Sequence, residues 1–436
     1  MLRSVQANAL PRRRFIQKLG FLSLAGFMGF ARAAAPRDVV VVTSYPDELV
    51  SRFEAAFEKA NPAWRLRIVW RASHDAMSSL RDPGREGIDV YWSPSPRTFE
   101  RLKAGNLLQK LGIDHRGLPG RIGNTQIDDP DGYYAATEIA GFGFAINPAY
   151  LKAHDLPVPQ DWIDLADPRY AGHLFVPNPA RVGFAPVITD IPLQAYGWEK
   201  GWAMWSAVVA NATLADRGGT FVTDGGASGR YGIGISIDFF VTGAIAKGAP
   251  LHFIYPKHGG INPAHIGILA ESQNPEGARA FVTFVLSEAG QRLLTHPDIR
   301  RLPVRPDAYS GIDRAYFNPF AAAAAGGFAY DGERGFKRLP VISALFNIVL
   351  AQRQDKLATL WPKARQLGGE RGEEAMRLLS IVPVSETQAE QSEWQQAFAN
   401  RRDDKQAESR AAALEREWAN ETDARLARVE KLLEQT

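Results

Sequence analysis

The sequence contains no cysteine among its 436 residues. A chain without thiols forms no disulfide and has no thiolate metal ligand or cysteine nucleophile, and it lacks the cysteine that anchors a bacterial lipoprotein. Hydrophobic cores must therefore stabilise the fold. With 45% hydrophobic and 10% aromatic residues, the chain is long enough to build two or three of them. We expect several domains or lobes.

The sequence also lacks a basic stripe of the kind that binds nucleic acid. Its formal charge is +3, but residues 1–33 contain six of the basic residues and no acid. The remaining chain has 45 basic and 48 acidic residues, which gives a charge of −3. This balance gives no electrostatic reason to expect a nucleic-acid partner.

Several catalytic and cofactor-binding signatures are absent as well. The eight histidines form no His-Glu-x-x-His motif, so a catalytic zinc is not expected. No predicted strand leads into a P-loop or a dinucleotide-binding glycine motif, and the glycines at 225–229 lack the spacing of a serine nucleophile. We therefore expect no enzyme activity, no cofactor and no metal site.

Residues 1–35 have the three-part layout of a secretory signal peptide. A basic start is followed by an apolar run at 19–31 and by the small-residue run ARAAA. The apolar run is shorter than the roughly 20 residues that cross a bilayer. The segment RRRFIQK is similar to the twin-arginine export signal, although Pro11 stands where Ser or Thr is usual, and ordinary secretion is the alternative. We expect a soluble periplasmic protein that is not a lipoprotein.

Strand and helix patterns alternate after this leader. Short apolar runs at 39–42, 66–70 and 88–92 predict buried strands, with helical spacing between them. Residues 161–250 repeat the alternation, and residues 137–147 form an apolar run that can cross between two lobes. The alternation predicts an α/β fold whose sheet is mostly parallel, with helices on both faces.

The later part of the chain is predicted to be helical. Residues 274–294 have the pattern of one amphipathic helix, and beyond about residue 320 the chain is rich in Ala, Glu, Arg and Gln. The last helix carries an apolar stripe, formed by Ala407, Ala411, Leu414, Trp418, Leu426, Val429 and Leu433. This stripe fits either a helical arm that packs on the second lobe or a coiled-coil dimer.

Polar side chains follow two of the predicted strands. Ser44 and Tyr45 come after the first strand, and Ser93 and Ser95 after the third. Ligands of parallel sheets bind beyond the carboxyl ends of the strands, where these hydroxyls and the N–H groups of the next helices can hold an anion. The alternative is that the serines only cap helices.

Five further residues are substrate-binding candidates. Arg181 can make a two-pronged contact with a phosphate or carboxylate, or lie solvated on the surface. Asp238 can accept a hydrogen bond from a ligand hydroxyl, cap the next helix or pair with an arginine. Thr137 and Ser236 lie in strand-like runs near the predicted lobe crossing, and His258 flanks a second crossing.

Three segments resemble the extracellular solute-binding proteins of ABC importers, in the group that includes ferric-ion, phosphonate, sugar-phosphate and phosphoglycerate binders. They are DGYYAATEIAGFGFAIN (131–147), PQDWIDLADPRYAGHL (159–174) and NPEGARAFVTFVLSEAGQ (274–291). The resemblance implies a type II binding-protein fold, in which two hinged lobes close on a ligand and then dock on a membrane permease. Residues 338–362 also resemble the C-terminal region of the periplasmic protein associated with phosphoglycerate transport.

The resemblance implies a division of the chain after the leader. Residues 36–137 are expected to form the first part of lobe 1, and residues 138–254 lobe 2. Residues 255–315 are expected to return to lobe 1 with a closing helix, and residues 316–436 to form a helical C-terminal extension.

The resemblance also bears on the ligand. Ferric members of the group hold iron through adjacent tyrosines, and alignment on the Lys-Gly-Ala-Pro turn places that pair at Phe239 and Phe240, whose rings cannot ligate. A small polar, anionic solute, phosphorylated or carboxylated, is therefore expected. The alternatives are a ligand-sensing accessory of a membrane histidine kinase and a ferric-ion binding protein.

Overall fold

The computed structural model describes residues 35–72, 75–82 and 86–434. The predicted signal peptide therefore lies, apart from Ala35, outside the described residues. Over the parts of the chain that are described, no helix combines the length and the hydropathy needed to span a bilayer.

Strands and helices alternate through the first three quarters of the chain, and helices alone follow. The strands are β1 Arg37–Thr43, β2 Trp64–Trp70, β3 Val90–Ser93, β4 Leu108–Gln109, β5 Arg121–Ile122, β6 Thr125–Gln126, β7 Tyr134–Ile146, β8 Leu174–Pro177, β9 Ala212–Ala215, β10 Ile233–Ile237, β11 His252–Ile254, β12 Ile261–Leu269 and β13 Leu302–Pro303. The helices are α1 Asp47–Ala60, α2 Ala76–Leu80, α3 Pro96–Ala104, α4 Pro148–Ala153, α5 Ala185–Tyr196, α6 Trp198–Asn211, α7 Thr220–Ala227, α8 Asp238–Ala246, α9 Pro275–Leu286, α10 Glu288–Leu293, α11 Pro319–Ala324, α12 Gly332–Val349, α13 Gln354–Leu367, α14 Gly369–Ser380, α15 Glu386–Ala389, α16 Ser392–Asn400 and α17 Lys405–Glu434. Short 3-10 turns occur at Trp162–Ala166, Pro168–Tyr170, Pro306–Tyr309 and Ala351–Arg353.

One continuous sheet joins two lobes. Its strand order is β2-β1-β3-β12-β7-β10-β8-β9, with β4 added beside β12, and β11 and β13 beside β7. Lobe 1 contains β1 to β4, β12 and β13, whereas lobe 2 contains β8 to β11. Within each lobe, the strands that follow helices pair in parallel. At the crossing the pairing is antiparallel, between β12 and its neighbours β3 and β7, and between β10 and β7. The expectation of a mostly parallel sheet is therefore wrong at the crossing, because strands that return across a hinge reverse direction.

Strand β7 crosses between the lobes, as the apolar run predicted. Its first half pairs with β12 and its second half with β10. Two glycines in it allow a close approach of neighbouring chain. A Cβ on Gly141 would lie 2.6 Å from the Tyr255 ring, and one on Gly143 would lie 2.2 Å from the carbonyl oxygen of Ile254. Side chains at these two positions would push lobe 2 away from the crossing.

The C-terminal helices share one hydrophobic core with lobe 2. Trp205 and Phe144 of lobe 2 belong to the same buried cluster as Leu345 and Trp418 of the extension, whereas lobe 1 has cores of its own. The Trp198 indole N–H also donates to the carbonyl oxygen of Val384, at 2.7 Å. The extension is thus packed on lobe 2 as an integral part of its core.

The apolar stripe of the last helix is used inside this core. Ala411, Leu414, Trp418, Leu426 and Val429 are buried, and the Trp418 ring lies on other aromatic side chains of the extension. Ala407 and Leu433, at the two ends of the stripe, are partly buried. The arrangement corresponds to the helical arm rather than to an exposed coiled-coil seam.

Candidate functional site

Two predicted hydroxyl groups meet at the edge of lobe 1. Strands β1 and β3 are parallel neighbours, with Thr43 opposite Trp92, so the residues that end them lie side by side. The Ser44 and Ser93 hydroxyl oxygens are 3.0 Å apart. Adjacent parallel strands end at the same edge of a sheet, which brings the two hydroxyls together, and their contact with a ligand stays a prediction.

Ser95 lies one turn of chain further, directly before helix α3. It occupies the N-cap position, and its hydroxyl oxygen is 2.8 Å from that of Thr98. No N–H group of the helix donates to the Ser95 side chain. The first turn of α3 begins at the same edge of the sheet as the two serine hydroxyls, although Pro96 has no N–H group and the Thr98 N–H donates to the carbonyl oxygen of Ser95 at 3.0 Å.

Tyr45 forms part of the wall behind these hydroxyls. It is 1% exposed, and its ring centroid lies 4.7 Å from that of Trp92. The Trp92 indole N–H donates to the Thr137 hydroxyl oxygen at 3.0 Å, and the Thr137 hydroxyl donates to the carbonyl oxygen of Ala264 at 3.3 Å. Thr137 thus positions the wall, and its contact with a ligand stays a prediction.

Arg301 connects the two lobes, and the sequence analysis did not single it out. It forms a buried ion pair with Glu138 on β7. Its guanidinium carbon lies 5.0 Å from the ring centroid of Tyr45 in lobe 1 and 4.6 Å from that of Phe239 in lobe 2. Both distances fit cation–π contacts. Burial acts to lower the pKa of Arg301, but Glu138, Tyr45 and Asp238 together outweigh burial and hold the pKa above its ordinary value.

Asp238 is a buried carboxylate at the start of α8. It is 3% exposed, and its Oδ2 accepts hydrogen bonds from the Gly141 N–H at 2.7 Å and from the Tyr255 hydroxyl at 3.0 Å. Burial raises the pKa of Asp238 to about 7, although these two hydrogen bonds and the charge of Arg301 oppose the rise. The N-cap residue of α8 is Ile237, so Asp238 holds α8 to the crossing strand rather than capping the helix.

Aromatic rings follow Asp238 at the position that the resemblance assigned to iron-binding tyrosines. The Phe239 and Phe240 ring centroids are 4.3 Å apart, and the Phe240 centroid lies 6.1 Å from that of Phe184 at the start of α5. Among the described residues, no group of three or more His, Cys, Asp or Glu side chains is arranged to hold a metal ion.

The other three candidates have separate surroundings. Arg181 is exposed on the loop between β8 and α5. Ser236 is buried in β10, opposite Gly143, and its hydroxyl has no hydrogen-bond partner within the described residues. The His258 Nδ1 lies 2.5 Å from a carboxylate oxygen of Asp161, which fixes the ring against lobe 2. Ligand contacts of these residues stay predictions.

Helix α8 of lobe 2 also touches lobe 1 at the surface. The Thr242 hydroxyl donates to the carbonyl oxygen of Arg300 at 3.3 Å, and the Lys247 ammonium lies 3.5 Å from the Glu48 carboxylate. Together with Arg301, these contacts hold the lobes against each other.

This two-lobed geometry is that of a solute-binding protein, and comparison with known proteins agrees. Residues 87–314 match the family model of bacterial extracellular solute-binding proteins. The chain belongs to that family, as the three resembling segments indicated.

Individual relatives extend the match to the C-terminal helices. The chain is 25% identical over 376 residues to the phosphoglycerate transport regulatory protein PgtC of Salmonella typhimurium strain LT2, a match that covers 84% of this chain and 91% of PgtC. The resemblance that was based on residues 338–362 is therefore confirmed.

Solved structures show the same fold. Iron-bound HitA from Pseudomonas aeruginosa has a TM-score of 0.55 at 17% identity, over 70% of this chain and 99% of HitA. The periplasmic binding protein AfuA from Actinobacillus pleuropneumoniae, with fructose-6-phosphate bound, has a TM-score of 0.53 at 19% identity, over 71% of this chain and 99% of AfuA. The two-lobed fold with an added helical region is confirmed.

Proposed function

We propose that the protein is a periplasmic receptor that captures a small anionic solute, phosphorylated or carboxylated, between its lobes and delivers it to an ABC permease. The proposed ligand lies between the serine hydroxyls of lobe 1 and the start of α8 in lobe 2. No covalent chemistry is proposed at this site, and the receptor carries its ligand unchanged.

The observation that carries the proposal is the pair of hydroxyls at the ends of β1 and β3. The Ser44 and Ser93 oxygens lie 3.0 Å apart beside the first turn of α3. Helix N-termini favour anions because their N–H groups are unpaired and the helix dipole is positive there. Hydroxyl donors and amide donors together suit the several oxygens of a phosphate or carboxylate.

Arg301 supports closure on the ligand. It contacts aromatic rings of both lobes while paired with Glu138 on the crossing strand. A ligand shifts a hinged protein toward the closed form only as far as it binds that form more tightly. An arginine that is placed between both walls makes its contacts only when the lobes are together, and a bound anion would strengthen them.

Relatives support an organic anion. PgtC is named for phosphoglycerate transport, and AfuA was solved with fructose-6-phosphate. HitA was solved with iron, but Phe239 and Phe240 offer no oxygen ligand at the position where the resemblance places tyrosines. The hydroxyl pair and the phenyl rings are both compatible with a phosphorylated small molecule as the ligand.

A sensory role is the second candidate function. PgtC is named as a regulatory protein, and the match to it covers the C-terminal helices. Those helices share the core of lobe 2, so a partner docked on them would report the position of that lobe. Such a protein would bind the same solute but present it to a membrane sensor instead of, or besides, a permease.

The test begins with the protein lacking its predicted signal peptide. Thermal shift is measured with 3-phosphoglycerate, fructose 6-phosphate, citrate and ferric ion, and mass spectrometry identifies any co-purified molecule. A ligand at 100 times its Kd stabilises the folded state by about 2.7 kcal/mol. Stabilisation by a phosphorylated or carboxylated compound supports the proposal, and recovery of that compound unchanged excludes a secreted enzyme. Stabilisation by ferric ion alone would refute it.

Variants then locate the site. The double variant Ser44→Ala, Ser93→Ala and the single variant Arg181→Ala are each expected to weaken binding of the identified anion at least about tenfold, the effect of a lost charge-assisted hydrogen bond. Ser409→Ala removes an exposed hydroxyl on α17 and is the matched control. Unchanged affinity in the double variant would place the anion elsewhere. To test the sensory role, uptake and signalling are compared in cells that carry the full-length chain with exposed side chains of α17, such as Arg416 and Glu417, changed to alanine. Loss of signalling with uptake retained supports the sensory role, and unchanged signalling counts against it.

A further inference from the structure

A cavity of about 410 Å³ lies where the C-terminal extension meets lobe 1. Its walls are the loop at residues 125–130, the start of β12, the first turns of α3 and α12, and Val187 of lobe 2. None of the nine predicted site residues lines it. Its volume is within the range of small-molecule sites, which is roughly 300 to 1,000 Å³.

The extension builds one side of this cavity. Tyr330, Glu333, Phe336 and Lys337 line it, and they lie beyond the region that matches the family. Hydrogen bonds fasten this side to lobe 1, including the Thr125 hydroxyl donating to the carbonyl oxygen of Tyr330 at 2.9 Å. The cavity is therefore a feature of the longer chain and not of the shared two-lobed fold.

His265 places an unpartnered acceptor in the wall. It is 3% exposed, and its Nε2 lies 2.8 Å from the carbonyl oxygen of Ile127. A carbonyl oxygen only accepts, so Nε2 carries the proton and Nδ1 has a free lone pair. Nδ1 is buried without any hydrogen-bond partner among the described residues. A buried acceptor without a partner calls for an explanation, and a guest in the adjoining cavity can supply the donor.

Carboxylates dominate the charge of the lining. Asp128, Glu100 and Glu333 line the cavity with Lys337 as the basic counterpart, and none of the three acids forms an ion pair within the described residues. One oxygen of Asp128 accepts from the Ala136 N–H at 2.6 Å, and its second oxygen has no donor in the part of the chain that the structure describes. These groups, like His265 Nδ1, accept hydrogen bonds and attract positive charge.

Aromatic side chains complete the walls. Tyr134 and Phe336 face the cavity, and the Arg97 guanidinium already lies 5.3 Å from the ring centroid of Phe336. Phenyl and phenol rings attract cations through their quadrupole, by about 0.5 to 2 kcal/mol. Phe336 is partly exposed, so a guest can reach the ring without unfolding the helix.

We propose that this cavity is a second binding site, which takes a small organic cation with primary ammonium groups. The ammonium donates to His265 Nδ1 and to the Asp128 carboxylate, while its methylene chain lies against Tyr134 and Phe336. An aliphatic diamine or polyamine has this chemistry, and its length suits a cavity that is acidic at more than one point.

Isothermal titration calorimetry of the protein without its signal peptide tests the site, with putrescine and spermidine as probes and sodium chloride at matched ionic strength as the blank. Saturable binding of at least one amine is expected. Asp128→Asn keeps the size and the acceptor for the Ala136 N–H, and it is expected to weaken binding at least about tenfold, which is the effect of one lost charged contact. Phe336→Ala is expected to weaken it about threefold.

Glu373→Gln is the matched control, because it neutralises an exposed carboxylate on α14 away from the cavity. Its amine affinity should equal that of the unaltered chain. The Tm of each variant without amine shows whether that variant is folded. If Asp128→Asn does not fold, the amine affinity of Phe336→Ala still tests the site. Absence of saturable binding up to about 10 mM amine, or equal weakening by the control, would overturn the proposal. The result does not depend on whether the interlobe cleft binds an anion.

Discussion

Two buried arginines hold this molecule together in different ways. Arg301 lies between the lobes with Glu138 as its ion-pair partner, and its other contacts are aromatic rings from opposite walls. Arg338 lies between lobe 2 and the extension, with Asp190 at 2.7 Å and Glu386 at 2.7 Å. The contacts of Arg301 with the rings are easily separated, because a ring that loses its cation is not left as an unpaired charge. Arg338 is instead held by carboxylates on two sides.

The comparison explains how one chain has both a hinge and a rigid added domain. Arg338 and Asp190 are both fully buried, so separating the extension from lobe 2 would expose two charges and a large hydrophobic core. Separating the lobes breaks a few surface contacts of α8, the ring contacts of Arg301, and the hydrogen bonds that residues 124 and 125 of lobe 1 donate to residues 329 and 330. The extension is thus expected to move with lobe 2 as one body when the cleft opens.

The largest expected effect on stability comes from removing the buried ion pair between Arg338 and Asp190. Arg338→Met leaves Asp190 buried without its cation and should lower the free energy of unfolding by about 3 to 5 kcal/mol. Urea denaturation followed by tryptophan fluorescence measures it. Arg377→Met, which removes an exposed pair with Glu374, is the control and should cost less than about 1 kcal/mol. Equal effects in the two variants would mean that Arg338 does not lock the extension.

Arg301→Met should have a smaller effect on stability and a larger one on ligand binding. Glu138 is left unpaired, at a cost of about 1 to 3 kcal/mol, and opening of the lobes can hydrate it. The stabilisation by the anionic ligand in a thermal-shift assay should be lost, because the contacts across the cleft are gone. The neighbouring Arg300 is exposed, so Arg300→Met serves as the control. A full ligand shift in Arg301→Met would show that Arg301 is not part of closure.

The buried carboxylate next to this cleft gives a pH dependence. The pKa of Asp238 is about 7 in the folded chain, above the ordinary value near 4, so the folded state keeps a proton that the unfolded state has lost. Asp238 therefore makes the free energy of unfolding fall as pH rises from about 4 to 7, by at most about 1.4 kcal/mol per pH unit. Above pH 7 its contribution is constant.

The isosteric variant Asp238→Asn isolates this dependence, because the amide oxygen still accepts from the Gly141 N–H. The difference in unfolding free energy between the chain and the variant should change between pH 4 and 7. Other buried acids, such as Asp128 and Glu138, titrate in the same direction in both proteins and cancel in the difference. A difference that does not vary with pH would mean that Asp238 stays ionised.

Local features could be predicted from the sequence, and distant pairings could not. Ser44 and Ser93 could be placed at strand ends because short apolar runs mark where the strands stop, and the structure brings their hydroxyl oxygens to 3.0 Å. The partners of Arg301 lie more than 60 residues away along the chain, so no spacing marks them. The available signal was a charge directly before the buried residues Leu302 and Pro303.

One local feature was also missed. The predicted single helix at 274–294 is two helices, α9 and α10, because Ser287 has an extended backbone and its hydroxyl accepts from the Gly290 N–H at 3.1 Å. A serine followed by an acid and a glycine is a helix start, and the apolar periodicity across it concealed the break. Asp238 was singled out as a candidate, but its role as an acceptor for β7 was not predicted, because that role depends on a strand about 100 residues earlier.

The smallest expected effect is at the cleft surface, and it separates closure from stability. Lys247 and Glu48 are exposed and lie 3.5 Å apart on α8 and α1, so Lys247→Met should change the unfolding free energy by less than about 1 kcal/mol. Because the pair exists only when the lobes touch, its loss should appear instead as a slightly larger radius of gyration in X-ray scattering of the ligand-free protein. Raising the salt concentration should produce the same shift in the unaltered chain and none in the variant, since screening removes what the substitution has already removed. A salt response that persists in Lys247→Met would assign closure to the aromatic contacts of Arg301 and not to surface charge.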